Sequence, residues 1–327
     1  MNTRCRVGKG YASSVQIYIC IALVVIAVII ALSAPALGFT DTIIPQARKS
    51  VQHRVQGIIN PILNDADFEV KSWENPETKE LITAKVSYKY QDKGLIYIDI
   101  AVKDPTDILI LLVNNSDMDK YTKESSYKKY LNPGFYPMDV PGGYLLKIST
   151  RQERISETAS KFHILYRKNF EAKFEGTSPA SYANVYTSYD ENSALAADAI
   201  DATNDIVGDR EKVAALIQHM QETFSYDWDM LSKKKDGAIV ESDMLGDVDA
   251  YYAKKTGLCF QITQVFSSMC KAIGIPCREV RGYNNTHLYH SWAQVYVDGK
   301  WLDVDPGSAD PFEHIAAEGF IRTSVAY

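Results

Sequence analysis

The segment HSWAQVYVDGKWLDVDPG, from His290 to Gly307, admits few backbone solutions. Apolar and polar residues alternate on both sides of Asp298-Gly299, a dipeptide that favours a two-residue hairpin turn. A turn there fixes the register: Val297 faces Lys300, Tyr296 faces Trp301 and, further out, Trp292 faces Asp305. Side chains alternate with period two, so His290 and Trp292 leave one face, which Asp305 shares as the partner of Trp292. His290 and Asp305 are then diagonal neighbours, roughly 7–8 Å apart at the backbone, a gap that an imidazole-to-carboxylate hydrogen bond spans. Asp303 lies on the same face but nearer the turn, and is the second choice.

A second constraint lies upstream, in TGLCFQITQVF, Thr256 to Phe266. Ile262, Val265, Phe266, Met269 and Ile273 recur at helical spacing, and Gly274 and Ile275-Pro276 end the run. Cys259 therefore lies in the first turn of a helix. Free N–H groups and the positive dipole end at that place stabilise a thiolate, and the same N–H groups stabilise an oxyanion. A buried structural cysteine has no need of either. Cys259, His290 and Asp305 thus form a candidate set of nucleophile, base and orienting acid. His287, three residues before His290, has no second pair of ligands at metal-binding spacing, so no metal and no cofactor are expected.

The chain of 327 residues is longer than one average domain. Its 23% of charged residues and net charge of -6 leave no basic footprint for nucleic acid. The run Val15 to Phe39 carries no charge and is about long enough to cross a bilayer, which takes ~20 residues. Arg4, Arg6 and Lys9 precede it, so the positive-inside rule keeps residues 1–15 in the cytoplasm and sends everything beyond the anchor outside the cell. A cleaved signal peptide, ending near Ala34-Pro35-Ala36, is the rival reading and would make the protein secreted.

Residues 16–38 are read as the anchor and 39–65 as a helical stalk with apolar residues at Val51, Val55, Ile58, Ile59 and Ile62. From 66 to 177 the texture is that of strands: LITAKVSYKYQ, LIYIDIAVKD, DILILLVNN, YLLKIST and FHILYRKNFEAKF, separated by turn signals. This predicts an antiparallel β-sandwich of immunoglobulin-like kind. A polar stretch from Ser178 to Glu191 reads as a linker, and a helical second domain, 184–327, follows, with Asp209 as a candidate cap. Five cysteines are present, of which Cys259, Cys270 and Cys277 lie beyond the anchor. Cys270 and Cys277 read as small buried residues, with a bridge between them as the alternative.

GLCFQITQVFSSMCKAIGIPCREVRGY followed by HSWAQVYVDGKWLDVDP resembles the core of the transglutaminase-like superfamily. The resemblance covers roughly Asp247 to Gly307: a glycine and cysteine opening a helix, a Gly-Ile-Pro-x-Arg turn, a strand ending Gly-Tyr, His-x-Trp, and a hairpin reaching Asp-Pro. FSYDWD, Phe224 to Asp229, extends it more weakly. It implies a papain-like α+β core; with the strand and anchor readings above, the fold expected is α+β, a papain-like transglutaminase core preceded by an antiparallel β-sandwich domain and an N-terminal transmembrane helix. It also implies Cys259 as nucleophile, His290 as base and Asp305 as its partner. By rough position it makes Trp228 a candidate for stabilising the oxyanion, with core packing as the plainer role.

The function expected from these readings is a membrane-anchored extracellular thiol enzyme, an acyltransferase or cysteine protease acting on peptide or protein amides. Its partners would be a peptide or protein substrate, the membrane, and cell-envelope components. The alternatives are a cysteine protease that acts by hydrolysis only and a non-catalytic cell-surface binding module.

Overall fold

The computed structural model describes residues 63–115, 128–129, 133–138, 140–156, 159–234, 247–284, 288–312 and 321–326. The expected cytoplasmic N-terminus, the anchor, nearly all of the stalk, and His287 lie outside them. Among the described residues no helix is long and apolar enough to cross a membrane.

Eight strands come first: β1 (Glu69–Glu74), β2 (Leu81–Ser87), β3 (Leu95–Ala101), β4 (Ile108–Asn114), β5 (Lys128–Lys129), β6 (Gly134–Pro137), β7 (Gly142–Arg154) and β8 (Ser160–Ala172). They form two antiparallel four-stranded sheets, ordered β1-β2-β3-β6 and β5-β4-β7-β8. Ile82, Ala84 and Val86 on β2, Ile96, Ile98 and Ile100 on β3, and Tyr144, Leu146 and Ile148 on β7 recur at every second position. All nine belong to one buried cluster. Two sheets that each hide one face must share that core, which is a sandwich arrangement. Each of the five strand-like stretches falls on a strand. The short β5 and β6 and the largely exposed β1 carry too little apolar alternation to be read from sequence.

The stretch expected to be a linker is packed instead. A 3-10 turn at Ser178–Ser181 buries Pro179 and Ala180, and Tyr186, Thr187 and Tyr189 are buried beyond it. Val185 donates its N–H to the Phe135 carbonyl at 3.0 Å, which ties the segment to β6. Gly94 sits at φ +74 with the Pro179 ring 2.3 Å from where a Cβ would stand, so only glycine fits.

The remainder comprises α1 (Ala194–Ala202), α2 (Asp209–Thr223), β9 (Ser225–Tyr226), α3 (Trp228–Lys234), α4 (Val248–Lys254), β10 (Thr256–Gly257), α5 (Cys259–Ala272), β11 (Cys277–Tyr283), β12 (Tyr289–Val297), β13 (Lys300–Val304) and β14 (Ile321–Ala326). The last four strands form an antiparallel sheet ordered β13-β12-β11-β14. Asp298 and Gly299 both take positive φ, and β12 pairs with β13 in the anticipated register, Val297 with Lys300 and Tyr296 with Trp301. Asp209 is the first residue of α2 rather than its cap, a place taken by Gly208 at φ 100.

Helix α5 lies at the centre, against the sheet on one side and α1, α2 and α4 on the other, within one apolar cluster. The expected apolar stripe is there, but every residue of α5 is buried, including Gln264, Ser267, Ser268 and Lys271. Polar groups so placed need partners. Lys271 donates from Nζ to Thr187 Oγ1 at 2.6 Å, and burial pulls its ammonium down to about 7. A lysine whose folded pKa lies below its ordinary value, about 10.4, destabilises the fold at low pH, and this penalty fades as pH rises from about 7 to about 10.4. Lys271→Met is therefore expected to gain stability relative to the parent below pH ~7 and to lose that advantage across the window, in urea unfolding measured over pH. A pH-independent difference would contradict this.

Candidate active site

The N-terminus of α5 is built by local packing. Leu258 is the cap residue, and its N–H donates to the Gln261 side-chain oxygen at 2.9 Å, which secures the first turn. At Gly257 a Cβ would stand 2.9 Å from Gln261 Cβ and 3.0 Å from its oxygen. A glycine precedes this turn because the capping side chain occupies the space. Cys259 follows as the first helical residue, 9% exposed.

On β12, His290 directs Nε2 at Asp305 Oδ2, 2.8 Å away. Asp305 Oδ1 accepts from the Gly307 N–H at 3.1 Å, so the carboxylate is held from its other side by the turn after β13. Asp303 goes elsewhere: it accepts from Trp292 Nε1 at 2.9 Å and from Gln294 Nε2 at 2.8 Å. The two acids on this face have separate tasks. With Nε2 taken by Asp305, the hydrogen bond between His290 and the Cys259 side chain falls to Nδ1. Burial pulls the imidazole down, but its hydrogen bonds to Asp305 and Cys259, and their charges, outweigh it and raise His290 to about 10. The structure thus brings Cys259, His290 and Asp305 into one hydrogen-bonded set.

Trp228 opens α3, is 70% exposed, and its ring lies tilted on that of Tyr226, 4.7 Å between centroids. The residue beside Cys259 is Tyr226, whose hydroxyl hydrogen-bonds with both the Cys259 side chain and its backbone N–H. It stands there because β9 pairs parallel with β10, Tyr226 level with Gly257. Nothing in the local pattern of FSYDWD singles out the tyrosine over the tryptophan; the choice is made by strand pairing. A cleft of about 410 Å3 runs along the same wall, bounded by Phe224, Tyr226, Ile262, Pro306 and Gly307.

Sequence reading also missed the group that docks α5 onto the sheet. Glu279 on β11, fully buried, accepts from Gln264 on α5 at 3.1 Å, from Ser291 on β12 at 2.7 Å, and from Arg281 at 2.8 and 3.0 Å. Thr263, also on α5, donates to the Ser291 carbonyl at 3.2 Å. Ser291 is next to His290, so these bonds link the cysteine's helix to the histidine's strand. Cys270 and Cys277 are free and buried, hydrogen-bonded to each other, with Cys277 donating to Ser267 at 3.4 Å. Among the described residues no group of three or more His, Cys, Asp or Glu is placed to hold a metal.

A helix that opens on a buried cysteine, a sheet that returns a histidine and an aspartate to it, and the helices α1 to α4 around them lie almost wholly in one span. Residues 194–306 match the family model of the transglutaminase-like superfamily. The transglutaminase-like span runs from the start of α1 to just past Asp305, and contains all three residues of the set. No curated protein matches the chain.

Solved structures similar to the chain include the following. One is named as a candidate cysteine protease from Cytophaga hutchinsonii, at 18% identity and TM-score 0.36, covering 45% of this chain and 46% of that one. A structure named as a TGase is 24% identical with TM-score 0.32, covering 36% of this chain and 31% of its own. The periplasmic domain of TgpA from Pseudomonas aeruginosa, bound to ethylmercury, is 15% identical with TM-score 0.30, covering 76% and 86%. The alignment spans less than half the length of the first two.

The raised pKa of His290 has a consequence for stability in the transglutaminase-like core. A histidine held above its ordinary value contributes stability that is fully present below about pH 6.5 and is lost as pH rises towards about 10. In Asp305→Ala the hydrogen-bonded partner is gone. The stability difference between parent and variant is expected to shrink from pH ~6.5 to pH ~10 in denaturant titrations; a constant difference would mean that His290 and Asp305 do not pair as ions.

Proposed function

We propose that the protein is a thiol enzyme that performs acyl transfer or hydrolysis on peptide or protein amide bonds through a thioester at Cys259. The observation that carries this reading is the position of one imidazole between a sulfur at a helix N-terminus and a buried carboxylate 2.8 Å away. In this reading the Cys259 thiolate attacks the amide carbon, forming a C–S bond as the carbonyl electrons move to oxygen. The His290 imidazolium then gives its proton to the departing amine as the C–N bond breaks. A second amine, or water, loses a proton to His290 and displaces the thiolate, which restores the starting state. Asp305 fixes the ring so that Nδ1 faces the sulfur in both half-reactions. The cleft bounded by Phe224, Tyr226 and Ile262 offers room for a side chain of the substrate.

The proposal places the enzyme outside the cell, tethered by residues 16–38, with cell-envelope peptides or proteins as substrates. The charge-free run Val15 to Phe39 behind Arg4, Arg6 and Lys9 supports this.

Incubating the full chain with a peptide library and a biotinylated amine, beside a Cys259→Ala control, tests the chemistry by mass spectrometry. Amine incorporation that the control lacks is the expected result for transfer. Cysteine-dependent new termini without amine incorporation would assign hydrolysis alone, and neither product from the parent would refute the thioester.

A further inference from the structure

The thioester reaction uses neither Cys270 nor Cys277. Cys270 stands in the last turn of α5 and Cys277 is the first residue of β11, on either side of the turn made by Gly274, Ile275 and Pro276. Gly274 takes φ 84, a value that suits glycine and lets the chain reverse within a few residues. The reversal brings the two side chains together: both are fully buried, both are free thiols, and they hydrogen-bond to each other. Cys259 cannot reach either sulfur, since eleven residues of helix set it about 16 Å from Cys270 along the axis.

The two sulfurs are not equivalent. Burial raises the Cys270 thiol, and its hydrogen bond to Cys277 and the charge there add to the rise. Burial acts on Cys277 in the same sense, but hydrogen bonds with Cys270 and Ser267, the charge of Lys271 and the Arg278 N–H outweigh it and lower the thiol. As a thiol Cys277 donates to Ser267 Oγ at 3.4 Å; as a thiolate it accepts from the same hydroxyl, which is free to rotate. Lys271 is buried too, is held by Thr187 Oγ1 at 2.6 Å, and its charge acts on both sulfurs. A buried cation lowers the cost of a thiolate near it.

From this arrangement we propose that Cys277 and Cys270 are a redox-active pair closed to a disulfide by a hydroperoxide as small as hydrogen peroxide, Cys277 attacking the peroxide and Cys270 resolving the product. The Cys277 thiolate attacks one peroxide oxygen, and an S–O bond forms as the O–O bond breaks. The departing hydroxide takes up the proton that the thiol had released. Cys270 sulfur then displaces the hydroxyl of the sulfenic acid, so that S–S forms as S–O breaks, and the hydroxyl leaves with the Cys270 proton as water. Two thiols and one peroxide become one disulfide and two waters, with sulfur oxidised and the peroxide oxygens reduced. The peroxide is little larger than the waters that occupy polar sites inside proteins, whereas a tripeptide disulfide has no exposed sulfur to meet. The bond closes over the Gly274-Pro276 turn and joins the end of α5 covalently to β11, the strand that carries Glu279.

The test exposes the full chain to hydrogen peroxide, removes the excess with catalase, alkylates with iodoacetamide in denaturant and digests with trypsin. Trypsin cuts after Lys271 and so separates the two cysteines. The expected result is loss of both free thiols and appearance of their two peptides joined, lighter than their sum by two hydrogens and parted again by reductant. Cys259 shares a tryptic peptide with Cys270, so the linkage is also read in Cys259→Ala, where it is expected to persist. Dimedone, which traps sulfenic acids, reads the order of attack. Cys270→Ala is expected to carry the adduct on Cys277, and Cys277→Ala to carry none on Cys270. Full alkylation of Cys270 and Cys277 in the peroxide-treated parent, which needs no variant to fold, overturns the pair. A dimedone adduct on Cys270 in Cys277→Ala, with none on Cys277 in Cys270→Ala, overturns the assigned order.

Discussion

The carboxylate of Glu279 is the interaction on which the rest of this structure leans. It has no solvent exposure and takes hydrogen bonds from α5, β11 and β12 at once. A buried charge of this kind is costly unless every lone pair is used, and here Arg281 supplies the counter-charge while Gln264 and Ser291 fill the remaining positions. Burial alone would pull the Arg281 guanidinium down, but the adjacent Glu279 charge outweighs it and raises it. The penalty for misplacing any partner is steep, so the network specifies one docking of the helix on the sheet. That docking sets where the first residue of α5 stands relative to the residue beside Ser291.

From this follows the character of α5 itself. A helix that carried only an apolar stripe would rest on the sheet and leave its other face in water. This one is enclosed by α1, α2 and α4 as well, and several of its polar side chains reach neighbouring elements: Gln264 bonds to Glu279, Thr263 to a β12 carbonyl and Lys271 to Thr187. A cysteine at the end of so enclosed a helix has little freedom, which suits the thioester chemistry proposed for it. The same rigidity extends to the partners. Asp305 is pinned by the Gly307 N–H, and His290 stacks over Trp292, whose indole N–H is held by Asp303.

The transglutaminase-like span shares its structural unit with a sandwich whose core is separate but whose edge is not idle. The segment after β8 packs Pro179 against Gly94 and hydrogen-bonds Val185 to β6, then delivers Thr187 to Lys271 and Tyr186 beneath Arg281. A polar composition suggested a flexible tether there, because Ser, Asn and Asp are common in loops. In the structure Asn184 and Asp190 accept from backbone N–H groups two residues on, while Tyr186 and Tyr189 are buried.

The sequence by itself determined the hairpin and its register, because a two-residue turn at Asp298-Gly299 leaves one pairing and period-two alternation does the rest; the His290 and Asp305 pairing came with it. It determined that Cys259 opens a helix, since apolar spacing and the Gly274-Pro276 stop are local signals. It also determined the long sandwich strands, whose apolar alternation is unbroken. Tertiary structure alone decided which aromatic of FSYDWD meets the cysteine, because a parallel two-residue pairing between Ser225-Tyr226 and the distant Thr256-Gly257 leaves no trace in either. It alone decided that Glu279 binds the helix to the sheet, and that Lys271 is buried. Local patterns record which face of an element is apolar; they do not record which polar groups on different elements will satisfy one another once water is gone.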